Sequence, residues 1–216
     1  MDRLKGKTAF ITGAARGLGF AMAKRFHEEG AEIIINDLRM EDAERAAEQV
    51  QGFAVAGDVS SSDAVATMYR EIVQRVNRLD ILVNNAGIAG PTAPVEEIDP
   101  DEWRRSVGVN LNGAFYCTRL ATPLLKNSPK ASIINISSVA GCLGFARRLP
   151  YASSKWAMIG FTESLAKELG PSGIRVNALL PGIVEGPRIE GVFHARAESE
   201  GAVSYTHLTL PTNREV

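Results

Sequence analysis

Tyr151 and Lys155 stand four apart in the run Tyr-Ala-Ser-Ser-Lys, and they are residue types that can move a proton to or from an oxygen. On a helix, four residues rise about 6 Å and share a face. A free tyrosine, with a pKa of about 10, is a poor base near neutrality. A lysine cation beside it stabilises the phenolate, so the phenol can protonate a carbonyl oxygen or deprotonate an alcohol. Ser138, 13 residues earlier, carries a hydroxyl able to donate to an oxygen where charge develops. Each feature alone has a plainer reading: a surface helix pair, and a strand-end turn or cap residue.

A second constellation suits a phosphate. Thr12-Gly13-Ala14-Ala15-Arg16-Gly17-Leu18-Gly19 joins an apolar run to a helical one with GxxxGxG spacing. Glycines let the backbone turn tightly and let a ligand approach closely. A helix N-terminus offers free N–H groups and a positive dipole end. The loop lacks the Gly-Lys-Ser/Thr ending of an NTPase loop. Asp37 ends the next apolar run, 24 residues after Gly13. A carboxylate there can accept from both adenosine-ribose hydroxyls and repel a 2′-phosphate; a helix-terminal charge is the plainer reading. Arg16 and Arg39 are nearby cations. Asp58, followed by Val59, suits either a turn or a contact with an adenine amino group.

Other chemistries find no support in the sequence. No serine sits in a Gly-x-Ser-x-Gly elbow, and none of the three histidines has a nucleophile beside it. The two cysteines, Cys117 and Cys142, make neither a disulfide framework nor a four-ligand zinc site; both read as reduced packing residues.

Strand and helix patterns alternate through the first 182 residues. Short apolar runs at 7–12, 31–37, 53–59, 79–85, 132–137 and 174–180 read as strands. Residues 17–29, 41–50, 63–77, 100–126 and 151–169 read as helices. Six strands joined by helices imply a parallel sheet with right-handed crossovers and helices on both faces. Ligands bind such sheets beyond the C-terminal strand ends, and there stand Gly13, Asp37, Asp58, Asn85-Ala86-Gly87, Ser137-Ser138 and Pro181-Gly182. With 216 residues, 45% of them hydrophobic and 23% charged, the chain suits one globular domain. The net charge of −1 argues for neither nucleic acid nor an anionic membrane as partner. No apolar run approaches the roughly 20 residues of a membrane span, and the start, MDRLKGKTAF, has no hydrophobic leader. A cytoplasmic protein is expected.

Taken together, Thr12-Gly13…Gly17-Leu18-Gly19, Asn84-Asn85-Ala86-Gly87, Asn110, Ser138, Tyr151…Lys155 and Pro181-Gly182 resemble the short-chain dehydrogenase/reductase family, in order and spacing, over about 180 residues. The resemblance implies an α/β Rossmann-type doubly wound parallel sheet, strand order 3-2-1-4-5-6, normally followed by a seventh strand. It implies Tyr151 as acid/base, Ser138 orienting the substrate, Lys155 holding the nicotinamide ribose, and Asn110 positioning a water in a proton relay. Asn85-Ala86-Gly87 would support the central sheet and line the adenosine side. The family often has a threonine where Gly186 stands, so nicotinamide contacts would rest on the Ile183–Val184 backbone after Pro181-Gly182. NAD is the expected cofactor, NADP the less favoured one. A homodimer or homotetramer is implied, with the helices near 101–126 and 151–169 pairing between subunits.

The end of the chain reads differently. Residues 203–216, VSYTHLTLPTNREV, follow neither period, and Val203–Thr212 looks like a translated sequencing-library adapter. The expectation is a native domain over 1–202, stopping within the substrate lid with its seventh strand missing, and a foreign tail at 203–216. An exposed sixth-strand edge would favour aggregation. Walls for an alcohol or ketone substrate should come from Ala89–Val95, Val139–Pro150 and the lid. Arg147 and Arg148 read either as a solvated pair or as an attraction for an acidic substrate. The leading expectation is an NAD-dependent alcohol dehydrogenase/ketone reductase: 3-oxoacyl-carrier-protein reductase-like, or sugar or hydroxysteroid dehydrogenase-like. A catalytically silent dinucleotide-binding protein and an inactive fragment are the alternatives.

Overall fold

The computed structural model describes residues 2–200. The suspect tail lies outside the described residues. Six strands form one parallel sheet in the order β3-β2-β1-β4-β5-β6. They are β1 (Thr8–Ile11), β2 (Glu32–Asp37), β3 (Phe53–Ala56), β4 (Ile81–Asn84), β5 (Ser132–Ile136) and β6 (Arg175–Leu179). The order matches the one implied by resemblance. Crossovers run through α1 (Gly17–Glu28), α2 (Met40–Gln49), α3 (Ser62–Arg75), α4 (Pro100–Val107), α5 (Gly113–Lys126) and α6 (Leu149–Leu169).

Strand side chains alternate between two cores, as period two requires. Phe10, Ile34, Leu82 and Ile133 face α3, α5 and the C-terminal half of α6. Ala9, Ile11, Ile33, Ile35 and Val83 face α1 and α2. The Phe10 and Tyr69 rings meet edge-on at 5.6 Å, and the Tyr69 hydroxyl donates to the Cys117 carbonyl at 2.8 Å. Cys117 is thus a packing residue, its thiol pushed up to about 12 by burial. Cys142 is exposed, so the packing role expected for both cysteines holds for one.

Four departures from the sequence reading have physical reasons. The run 53–59 leaves the sheet after Ala56, because Asp58 Oδ1 accepts from the Ser60 amide (2.8 Å) and hydroxyl (2.7 Å) and turns the chain. The helix expected over 100–126 contains a π-helical turn, Gly108–Asn112, between α4 and α5. A single widened turn has no residue-type signature, so nothing in the sequence marked it. The last helix before β6 starts at Leu149, with Pro150 tolerated in its first turn. Residues 187–200, expected only as part of a substrate lid and assigned no helix, form α7 (Pro187–Glu200). Among the described residues β6 pairs only with β5.

One buried ion holds the lower end of the sheet. Asp80, fully buried just before β4, accepts from Lys7 Nζ (2.9 Å) and Ser128 Oγ (2.6 Å) on Oδ1. Its Oδ2 accepts from the Thr8 amide (3.0 Å) and Arg78 Nε (3.2 Å). Burial works to raise its pKa, but the hydrogen bonds from Ser128, Lys7 and Thr8 outweigh it and hold the carboxyl below its ordinary value. A depressed pKa stabilises the fold above the unfolded value of about 3.9, and that stabilisation is lost as pH falls through the lower folded value. Asp80→Asn should cost about 2–3 kcal/mol at neutral pH. Urea unfolding of both proteins from about pH 5 to pH 2 should show a shallower acid decline in the variant.

Candidate active site

The site lies where β1 and β4, adjacent in the sheet, send their chains to opposite faces. Backbone groups at such a point lose their ladder partners and need others. Thr12 and Asn85 supply them. Thr12 Oγ1 accepts from the Asn85 and Ala86 amides, each at 3.0 Å, and donates to the Val83 carbonyl at 3.4 Å. Asn85 Nδ2 donates back to the carbonyls of Thr12 and Gly13, both at 2.9 Å.

This lattice presses the glycine-rich turn against the Asn85–Gly87 turn. Gly13 has φ of +59°, and a Cβ there would lie 2.8 Å from the Ala86 Cα. A Cβ on Gly19 would meet Asn85 Nδ2 at 2.5 Å and the Gly13 carbonyl at 2.7 Å. Gly17, at φ +58°, faces open space. Arg16 is extended and exposed, its side chain does not cap α1, and Leu18 is partly buried against the α1–α2 core. The uncapped helix end therefore opens onto a glycine-floored cleft. Asp37 closes its far side, with Oδ2 accepting from the Ala15 amide (3.0 Å) and Oδ1 from the Leu38 amide (2.8 Å). A carboxylate has about four acceptor positions, so both braces leave it able to receive hydroxyls. The amides, the open glycine and the carboxylate fit a dinucleotide's diphosphate and ribose.

Asp58 makes the turn described above through Oδ1, which does not exclude the expected contact with an adenine amino group. Val59 is buried, and its Cγ2 lies 2.8 Å from where a Cβ on Gly113 would stand. Its side chain belongs to the core, which leaves only its backbone for a ligand.

The catalytic candidates gather around Gly87 and the upper end of β5. Lys155 is buried, and its Nζ donates to the Ile136 carbonyl at 2.7 Å and lies 5.7 Å from the centre of the Tyr151 ring. A Cβ on Gly87 would lie 3.1 Å from Asn110 Oδ1 and 3.6 Å from Lys155 Nζ, which places these two residues side by side. Asn110 sits in the π turn. Its Oδ1 accepts from the Ile88 amide (2.7 Å), while Nδ2 donates to the Ile88 carbonyl (3.1 Å) and to Ser154 Oγ (3.1 Å). Both N–H groups of that amide are thereby used. π turns often occur at functional positions. Ser138 is buried and caps a short turn, its Oγ accepting from the Ala140 amide at 3.2 Å. Val139 N donates to the Pro181 carbonyl at 3.1 Å, which joins this turn to Pro181–Val184, where Gly182, Ile183 and Val184 are exposed.

Several residues essential to this geometry went unread. Ser154 lies between Tyr151 and Lys155 in sequence and links Asn110 to α6 by donating to the Tyr151 carbonyl at 2.8 Å. Ser137, read only as a strand-end residue beside Ser138, donates through Oγ to the Lys155 carbonyl at 2.8 Å, and a Cβ on Gly141 would collide with both partners. Asn36 braces the glycine-rich turn through the Gly13 amide at 3.4 Å. Their only sequence signal was adjacency to the motifs. Arg148 is half-buried, with its Cζ 5.0 Å from the Tyr151 ring centre, and so is not part of a freely solvated pair. A separate shallow hollow of about 290 Å³, lined by Val95, Ile98, Pro100, Trp103, Arg104 and Leu149, includes none of the catalytic candidates. Among the described residues no cluster of histidine, cysteine or acidic side chains could hold a metal, and no helix is long and apolar enough to cross a membrane.

Sheet order, glycine-floored cleft and Tyr–Lys pair define a dinucleotide-type α/β oxidoreductase fold, and comparison makes the class definite. The short chain dehydrogenase family model matches residues 7–196, and the chain belongs to that family. It is 39% identical over 202 residues to trans-4-hydroxycyclohexanecarboxylate dehydrogenase of Sinomonas cyclohexanicum, spanning 88% of this chain and 77% of the relative. It is 37% identical to D-beta-hydroxybutyrate dehydrogenase of Cupriavidus necator, over 92% of this chain and 78% of that one. An NAD+-bound xylitol dehydrogenase superposes with a TM-score of 0.87 at 32% identity, covering 91% of this chain and 78% of the other.

Gly13 and Gly17 share a positive φ but differ in surroundings, which separates two costs. Gly17→Ala should lose about 1–2 kcal/mol from backbone strain alone. Gly13→Ala must also separate two turns, and should lose clearly more. Chemical denaturation of the two variants side by side checks the ranking.

Proposed function

We propose that this chain transfers a hydride between NAD(H) and a secondary alcohol or ketone, with Tyr151 as acid/base, and that residues 1–202 act as one dinucleotide-binding domain. The observation that carries the reading is the buried Lys155 ammonium, anchored on β5 and facing the Tyr151 ring. A phenol held beside a buried cation is placed to give a proton to a carbonyl oxygen or take one from an alcohol. Ser138 would donate a hydrogen bond to the same oxygen. Asn110, locked by Ile88 and Ser154, would hold the relay end of the site.

Gly13, Arg16, Gly17, Leu18 and Gly19 would receive the diphosphate, and Asp37 the adenosine ribose. Asp58 and the Val59 backbone would face the adenine, while Asn85, Ala86 and Gly87 would line the adenosine side. Lys155 would reach the nicotinamide ribose and Pro181, Gly182, Ile183 and Val184 the ring. The dinucleotide supplies the hydride donor or acceptor. The preference for NAD rests on Asp37 and on Arg39, whose Nε is paired with Asp42 at 2.9 Å and so is drawn away from a 2′-phosphate.

Relatives named for hydroxy-acid substrates make 3-hydroxybutyrate and 4-hydroxycyclohexanecarboxylate the first alcohols to try. Oxidation by NAD should exceed that by NADP in kcat/KM. Tyr151→Phe should lower kcat at least about 100-fold while dinucleotide binding persists. Unchanged turnover in Tyr151→Phe would reject the mechanism.

The exposed Phe115 (49%) on α5 and Trp156 (52%) on α6, with the apolar hollow by Trp103, support pairing of α4–α6 between two copies. Light scattering should show a dimer or tetramer, and Trp156→Glu should shift it toward monomer.

A further inference from the structure

Three segments border the catalytic candidates, and hydrogen bonds fasten them to the elements that carry Ser138, Asn110 and Tyr151. Val139, next to Ser138, donates its amide to the Pro181 carbonyl at 3.1 Å. Ala93 N donates to the Arg147 carbonyl at 3.0 Å, just before α6. Arg148 Nη2 donates to the Ala89 carbonyl at 3.0 Å, and Asn110 holds both the amide and the carbonyl of Ile88. Residues 88–95, 139–146 and 181–184 therefore form one connected rim beside the site.

The rim has little to offer a polar ligand. Across the three segments only Thr92 and Cys142 have side chains able to hydrogen-bond, and a thiol does so weakly. The backbone adds few donors. The amides of residues 139–143 all donate within their own turn or to Pro181. Those of Ile88 and Ala93 are spent on Asn110 and Arg147, and Pro91, Pro94 and Pro181 have none. Of the charged residues just beyond the rim, Glu96 and Glu185 are exposed, and Arg148 is held by Ala89. Meanwhile Val95, Val139, Leu143, Phe145, Ile183 and Val184 are exposed. Apolar side chains gathered on the surface beside a reacting centre mark a place that a ligand covers. A hydroxyl leaving water there loses hydrogen bonds that the rim does not return, whereas a methylene loses none.

We propose that the natural substrate carries a hydrocarbon chain or ring next to the reacting carbon, seated on this apolar rim. Leu143 and Phe145, the largest exposed apolar side chains in the segment that follows Ser138, set the preference. The proposal rests on the proposed hydride transfer at Tyr151 and narrows its substrate class away from sugars and polyols. Tyr151 and Ser138 receive the one oxygen that reacts, and the rim receives carbon. Each methylene moved from water onto apolar side chains gains about fourfold in binding. The rival occupant of the same side chains is protein, from a second copy or from another part of this chain.

The test uses the full chain with NAD and a series of secondary alcohols from 2-propanol to 2-heptanol. Xylitol joins the series, because it has the carbon skeleton of 2-pentanol with a hydroxyl on every carbon. In wild type, kcat/KM should rise about two- to fourfold per methylene, chiefly through KM. The value for 2-pentanol should exceed that for xylitol at least about 100-fold. Phe145→Gln and Leu143→Gln should each lower the ratio of 2-heptanol to 2-propanol about 3- to 10-fold. Val73→Gln, at an exposed apolar position on α3, should leave that ratio in place. Both alcohols present the same reacting group, so a general effect of a variant on proton transfer cancels. A flat series, or xylitol at or above 2-pentanol, would overturn the proposal and leave the rim to protein contact. An unchanged ratio in both rim variants, or an equal fall from Val73→Gln, would overturn it too. Calorimetric titration of the NADH-loaded chain with the matching 2-alkanones reads the same slope without turnover. Affinity that climbs with chain length in a chain that turns nothing over would uphold the apolar seat and reject the hydride-transfer reading. Turnover with a flat series does the reverse, and ketones that neither bind nor react overturn both.

Discussion

The architecture of the site depends on the reciprocal hydrogen bonds between Thr12 and Asn85. Parallel strands satisfy their backbone through each other, but β1 and β4 part at their C-terminal ends because their chains leave toward opposite faces. Two polar side chains replace the missing ladder there, and both work in two directions at once. Thr12 Oγ1 takes two amides and gives one proton, and Asn85 Nδ2 spans two consecutive carbonyls. With these bonds in place, the glycine-rich turn and the Asn85–Gly87 turn become one rigid floor. Three other candidates for ligand contact border it: Asp37 through the Ala15 amide, and Asn110 and Lys155 beside Gly87.

The catalytic side is held by a second set of saturated groups. Asn110 spends its whole amide on Ile88 and Ser154, and Lys155 donates to β5. The bonds from Asn110 to Ser154 and from Lys155 to β5 are buried, where an unmade partner is costly. The π turn holds Asn110 where it meets Ser154, so an irregular helix and a regular one are locked together next to Tyr151. Below the sheet, Asp80 does the equivalent for the starts of β1, β4 and the turn before β5.

The sequence announced the strands because each is a short apolar run that a two-sided core must bury, and their ends carried the residues that turns and ligands both favour. Their order came from the family resemblance and not from periodicity. Side-chain partners were another matter. Nothing about Ser154 as a residue type distinguishes a surface helix serine from one receiving Asn110. Asp58 had two open roles, which are not exclusive: the hydrogen bonds from Ser60 show the turn, and an adenine contact stays with the proposed function. Val59 was read with the ligand contacts and proves to fill the space that Gly113 leaves. The π turn was invisible because one widened turn inside a helix has no residue-type signature of its own. α7 was missed because its apolar residues do not keep to one face. Each miss concerns which long-range partner a residue finds, and local pattern carries no such information.

The contact between Gly13 and Ala86 has a further consequence. At 2.8 Å from the Ala86 Cα to the position of a side chain at 13, the two turns are separated by little more than a hydrogen atom. The floor of the cleft is therefore closed to evolutionary experiment, since a larger residue on either turn would part β1 from β4. In the loops around Gly144 and Gly182 there is no comparable contact to preserve, since a Cβ on either glycine would meet nothing within 4 Å. Selection for new substrates in such a fold is channelled to those loops, and a lineage can exchange one alcohol for another while its grip on the dinucleotide stays frozen.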